Sequence, residues 1–193
     1  MTNNHTKLKI TFNAPAILTF ALACVVVQVL NVLTHGESNR VLFSTYRSSL
    51  INPLTWLRCV THVLGHADYA HYISNIMLML VIGTTLEDKY GSRKLFFCIL
   101  VTALVSGLVQ VFFFPATALL GASGIVFMMI VLSSLSGMKN GSIPLTLILV
   151  VVLYLGGELW DAITVRDNVS QLTHIVGGVC GMFFGFTLRG RKR

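Results

Sequence analysis

Residues Gly121–Leu135 read GASGIVFMMIVLSSL. The apolar part, Gly124–Leu135, has the look of a membrane helix but is short. A bilayer core about 30 Å thick needs about 20 apolar residues per crossing. Short helices are tolerated where neighbours shield their ends or where they line a wet cavity. The small, polar head of the run puts Ser123 at the start of such a helix. A serine there is ordinarily an N-cap. At the edge of a wet cavity inside a membrane it is also a candidate for chemistry.

Five further apolar stretches surround this one: Ala14–Leu33, Tyr72–Leu86, Leu95–Phe114, Ile143–Leu155 and Leu172–Leu188. The first, third and sixth of the set are long enough to cross unaided, and the second and fifth are short like Gly124–Leu135. The chain of 193 residues is 54% hydrophobic and only 11% charged, with mean hydropathy +0.78. Soluble domains carry roughly 25% charged residues, so a soluble fold and a disordered chain are both excluded. The segment Ala21-Leu22-Ala23-Cys24 faintly suggests a cleaved leader, but the apolar run continues well past Cys24, as an uncleaved span does. The expected fold class is an all-α membrane protein: a six-transmembrane-helix bundle forming a single membrane domain over residues 1–193. Residues 1–13 are its short N-terminal segment and residues 189–193 its basic C-terminal tail. Cys24, Cys59, Cys98 and Cys180 form no CxxC pair and read as small buried hydrophobes.

The formal net charge of +7 would, in a soluble protein, suggest nucleic acid. Here it sets orientation. Lys7, Lys9, Lys89, Arg93, Lys94, Lys139, Arg189, Arg191, Lys192 and Arg193 share one side of the expected bundle; Arg40, Arg47, Arg58 and Arg166 share the other. The positive-inside rule puts both termini in the cytoplasm and the loops Thr34–His71, Pro115–Ser123 and Gly156–Gln171 outside. The expectation is a multi-pass integral protein of the cell membrane, with the lipid bilayer as partner and no nucleic acid. Within the first outer loop, Trp56–Gly65 reads as a short interfacial helix.

Polar residues inside spanning helices are costly and therefore functional candidates. His71 opens the second helix, with Asn75 on the same face four residues on. Ser123 opens the fourth, and His174 lies near the start of the sixth. Alternation of direction brings the N-terminal ends of these three helices to one level near the outer face. A histidine can take the proton of a serine hydroxyl. Free first-turn amides of the fourth helix favour an oxyanion, and Asn75 and His71 can add donors. That set suits acyl transfer. His174, Gly177, Gly181 and Gly185 form a smooth stripe that lets helices approach closely. Phe127, one turn after Ser123, can stack on the imidazole. No carboxylate lies within the helices near these groups, so the reading is a Ser123–His174 dyad.

These residues resemble the rhomboid family of intramembrane serine proteases, from about Arg58 to Gly185. Gly121-Ala122-Ser123-Gly124 resembles the family's GxSG motif around the nucleophile. His174 with Gly177 and Gly181 resembles its HxxGxxxG, in which the histidine is the base. His71-xxx-Asn75 resembles the HxxxN pair that supports the oxyanion, and Glu87-xxx-Gly91 a structural ExxxG. Arg58, Thr61, His62 and His66 resemble the first-loop pattern. Two departures stand out: Leu57 rather than Trp precedes Arg58, and Phe127 stands where the family often has Tyr. The resemblance implies cleavage of single-spanning membrane proteins at small residues, with no metal and no ATP.

His62, His66 and His71 raise a metal site, but HExxH is absent and no transmembrane carboxylate completes one. Aspartyl proteolysis lacks two intrahelical aspartates, and a transporter lacks a visible repeat. The alternative of a different class is a non-catalytic relative that binds membrane clients; such relatives lack the serine or the histidine, and this chain keeps both. The metal reading is separable by experiment: EDTA leaves peptidase activity unchanged, whereas strong inhibition reversed by zinc would restore it.

Overall fold

The computed structural model describes residues 11–137, 145–150, 152 and 168–188. Helix α1 spans Pro15–Leu33. Proline suits its first position because the missing N–H would have no partner there anyway. The next two amides, of Ala16 and Ile17, donate to the two carboxylate oxygens of Glu87 at 2.8 and 3.0 Å. A side chain some seventy positions away thus caps α1 and places a negative charge at the positive end of its dipole.

The second apolar stretch is longer than its hydropathy indicates. Helix α4 (Tyr69–Leu78), a π turn (Met79–Gly83) and helix α5 (Thr84–Tyr90) run on as one rod of 22 residues. Its ends carry polar groups, which hid its length. Asp68 caps the start and Gly91, at φ +87°, ends it. At the π turn, a Cβ on Gly83 would lie 2.5 Å from the Ile17 side chain, so the bulge sits where α1 presses against the rod. Helix α6 spans Ser92–Phe113. Among the described residues, α1, the Tyr69–Tyr90 rod and α6 are long and apolar enough to cross a membrane. Leu22, Val26, Val29 and Val32 of α1 are exposed, an outward apolar surface that suits lipid and not water.

The segment expected as the first outer loop is more structured than that expectation. Helix α2 (Glu37–Leu42) follows α1, and helix α3 covers Pro53–Thr61, followed by a 3₁₀ turn at His62–Leu64. The expected Trp56–Gly65 helix therefore starts earlier, because Asn52 Oδ1 accepts the Leu54 N–H at 3.0 Å and Pro53 takes the first helical position. The all-α expectation also misses a two-stranded antiparallel ribbon: β1 (Thr45–Tyr46) pairs with β2 (Ala118–Leu119), Thr45 opposite Leu119. It ties the first outer loop to the segment before Ser123. Arg58 locks the loop from within: its Nε donates to the Val41 carbonyl at 2.7 Å and its guanidinium lies 4.6 Å from the centre of the Tyr46 ring.

Helix α7 (Ser123–Leu135) is central; Gly124 to Leu132 are all buried. Helix α8 is Leu145–Val150 and helix α9 is Asn168–Thr187. The remainder of the expected fifth span, Lys139, the last outer loop as far as residue 167 and the basic C-terminal tail lie outside the described residues. The main packing is α9 along α7. A Cβ on Gly177 would run into the Gly124 carbonyl oxygen, one on Gly181 would meet the Met128 carbonyl oxygen at 2.5 Å, and one on Gly185 the Leu135 side chain at 2.5 Å. The glycine stripe is thus the contact face itself. Gly178, by contrast, meets only Val131 at 3.9 Å. Gly177→Ala and Gly181→Ala are each expected to destabilise by ~1–3 kcal/mol through overpacking, read as a lower Tm in detergent, while Gly178→Ala leaves Tm unchanged.

Candidate active site

Ser123 is the first residue of α7, and Ala122 occupies the capping position. The serine hydroxyl is therefore not the helix cap. Immediately before it, Gly121 has φ +123°, which glycine adopts without strain. The place a Cβ would take is filled by the His71 ring, with Cε1 at 2.7 Å and Nε2 at 2.9 Å. Conformation and space both demand glycine at this point, and together they seat His71 against the loop that leads into Ser123. The Gly121 N–H donates to the His62 carbonyl at 3.0 Å, so the 3₁₀ turn of the outer loop anchors the same peptide.

His71 is held through its backbone. Its N–H donates to Asp68 Oδ1 at 2.7 Å, and its carbonyl accepts Asn75 Nδ2 at 3.0 Å. Asn75 is buried. One of its two amide hydrogens is spent on the helix, which leaves one donor for an oxyanion. The Asp68 carboxylate, read from sequence as a loop charge, is the cap of α4; the pattern Asp-xx-His with the amide three residues on is an N-cap signature that could have revealed it.

His174 projects from α9. Its ring stacks on Phe127 with centroids 4.2 Å apart and planes 4° from parallel. Phe127 lies on the same face of α7 as Ser123, one turn below, so the stack holds the imidazole against the face of α7 that carries the serine. The helices touch in the adjoining turn: the Thr173 methyl lies 2.9 Å from a Cβ on Gly124, next to the Gly177 contact. His71 and His174 are within electrostatic range of each other. Ser123, His174, Phe127, Gly121 and His71 therefore converge, with Asn75 one turn beneath His71. Gly177 and Gly181 serve as the packing face. The first-turn amides of α7 lack intrahelical acceptors, as groups that could donate to an oxyanion do. Asp161 and Asp167 lie outside the described residues. Among the described residues, no group of three or more His, Cys, Asp or Glu side chains converges as a metal site would.

Sequence reasoning overlooked Gln110. Its amide is buried near the end of α6 and donates to the Phe114 carbonyl, the Thr117 carbonyl and the Thr117 hydroxyl at 3.3, 2.9 and 3.0 Å. It supports the irregular segment leading to β2 and the serine. A glutamine in an apolar stretch was the available signal. The histidines of the outer loop are structural in this arrangement. His62 Nδ1 pairs with the Arg58 carbonyl at 3.2 Å, and His66 Nδ1 with the Leu64 carbonyl at 3.2 Å. His66 also stands edge-on to His71, centroids 5.2 Å apart. Both are fully buried, and burial pushes each down to about 4.

A family model described as Rhomboid domain matches residues 53–191. Rhomboid-related protein 2 of Mus musculus is 29% identical over 143 residues, covering 68% of this chain and 47% of that protein. Rhomboid protease GluP of Bacillus subtilis (strain 168) is 29% identical over 155 residues, 78% of this chain and 29% of that protein. Rhomboid protease GlpG of Serratia proteamaculans (strain 568) is 27% identical over 177 residues, 89% of this chain and 62% of that protein. The chain spans about half or less of the length of the first two.

The buried histidines give the fold a defined acid limit. Their folded-state pKa of about 4 lies below the ordinary 6.5, so the unfolded chain binds the protons more readily. Stability is complete above about pH 6.5 and falls as the pH drops toward 4. At pH 5 the loss is about 2 kcal/mol per histidine. Thermal unfolding in detergent is expected to show a lower Tm at pH 5 than at pH 7.5. The difference shrinks in His66→Phe.

Proposed function

The chain belongs to the rhomboid family and is an integral membrane protein, and on that premise we propose that it is an intramembrane serine endopeptidase. Its substrates are single-spanning membrane proteins, cut near the outer membrane face. The parallel stack of His174 on Phe127 at 4.2 Å supports this reading best, because it holds a candidate base against the face of α7 that also carries Ser123, whose hydroxyl is free of capping duty. The proposed frame is six spans in one membrane domain, with both termini cytoplasmic and the site toward the outside. It is supported by the excess of basic residues on the inner side.

In the proposed reaction, Ser123 Oγ attacks the substrate carbonyl carbon and His174 takes its proton. The carbonyl oxygen becomes an oxyanion. The remaining Asn75 N–H, the His71 ring and the first-turn amides of α7 stabilise it, with the Gly121 turn holding them in register. His174 then gives the proton to the departing amine, leaving an acyl group on Ser123. Water, deprotonated by the same histidine, releases it. The backbone contacts of Gly177 and Gly181 keep base and nucleophile on facing turns.

The test is purified protein with a model single-spanning substrate. Ser123→Ala abolishes cleavage and labelling by a fluorophosphonate probe. His174→Ala lowers turnover about 10²–10⁴-fold. Equal probe labelling of Ser123→Ala, or near-normal turnover by His174→Ala, would sink the dyad. Binding of the model substrate without cleavage by the wild type would favour client binding instead.

A further inference from the structure

A groove of about 490 Å³ opens between α1 and the start of α6, two of the helices long and apolar enough to cross a membrane. Thr19, Phe20 and Ala23 form one wall, Phe96 the other, and Leu64 of the 3₁₀ turn closes the top. Arg93 and Ser92 stand at the opposite end. The walls are almost wholly apolar, and Arg93 is the charged residue that lines them. Arg93 makes no ion pair and no hydrogen bond among the described residues. Glu87, whose carboxylate holds the Ala16 and Ile17 amides nearby, is buried and committed to them.

The dimensions select the occupant. Ala16 to Ala23 rises about 10 Å, within the ~15 Å of a single leaflet. A transmembrane helix needs the full depth and would run into Leu64. An acyl chain needs only what the groove offers, and the cation at its mouth selects a phosphate-bearing headgroup. We propose that this groove holds one anionic phospholipid, its acyl chain between α1 and α6 and its phosphate at Arg93. The bound lipid supports the underside of the turn His62–Leu64, the same turn whose His62 carbonyl fixes Gly121. The proposal rests on the membrane fold and is independent of the proteolytic reading.

The full chain is reconstituted in nanodiscs containing equal phosphatidylcholine and phosphatidylglycerol, released, and weighed by native mass spectrometry. The wild type retains one phosphatidylglycerol in preference to phosphatidylcholine. Arg93→Gln lowers that retention about fivefold, the size expected for one basic residue at a lipid headgroup. Arg47→Gln, on the outer loop, has no effect. Thr19→Trp fills the groove and removes retention of both lipids. Equal retention of the two lipids by the wild type, or unchanged retention by Arg93→Gln and Thr19→Trp in protein with normal unfolding, would overturn the proposal.

Discussion

The Gly177 backbone rests on the Gly124 carbonyl so closely that a methyl group there would collide with the oxygen. Apolar side chains give little drive for association within a bilayer, because lipid tails are as apolar as leucine. What remains is van der Waals contact at short range, which only small residues permit. The α7–α9 pair is built on that contact, repeated at Gly181 and Gly185. Ser123 and His174 lie in the turns just outside it, so their relation is set by backbone against backbone rather than by flexible side chains.

A second constraint acts at the N-terminal end of α7. The chain before Ser123 is irregular, and irregular backbone at membrane depth must find its hydrogen bonds inside the protein. Each bond is met by a different element: the β1–β2 ribbon, Gln110 on Thr117, and the His62 carbonyl on the Gly121 N–H. The outer loop is thus the partner of the nucleophile loop, and Arg58 and its buried histidines stiffen that partner.

The three long spans, α1, Tyr69–Tyr90 and α6, were legible in the sequence because apolarity over a dozen or more residues is a strong signal. Ser123, His174, His71 and Asn75 stood out as candidates because polar groups are conspicuous against it. Helix ends were not. Tyr69–Tyr90 extends beyond Tyr72–Leu86 since its termini are written in Asp68, Glu87 and Gly91, whose roles depend on what they cap. The ribbon was invisible, because two residues per strand carry no alternation. Glu87 could be flagged from its motif, but nothing local says that its acceptors face α1. Gln110 signalled itself as polar in an apolar run, yet its partners follow a turn that hydropathy does not describe.

The Glu87 clasp also bears on how the molecule is made. During synthesis α1 is made before the Tyr69–Tyr90 rod, with the amides of Ala16 and Ile17 lacking an acceptor. The residue that completes it arrives some seventy positions later, at the far end of the next crossing. The first helix is therefore finished by the second, and the hairpin they form, rather than either helix alone, is the smallest unit of this fold whose backbone is satisfied at that end.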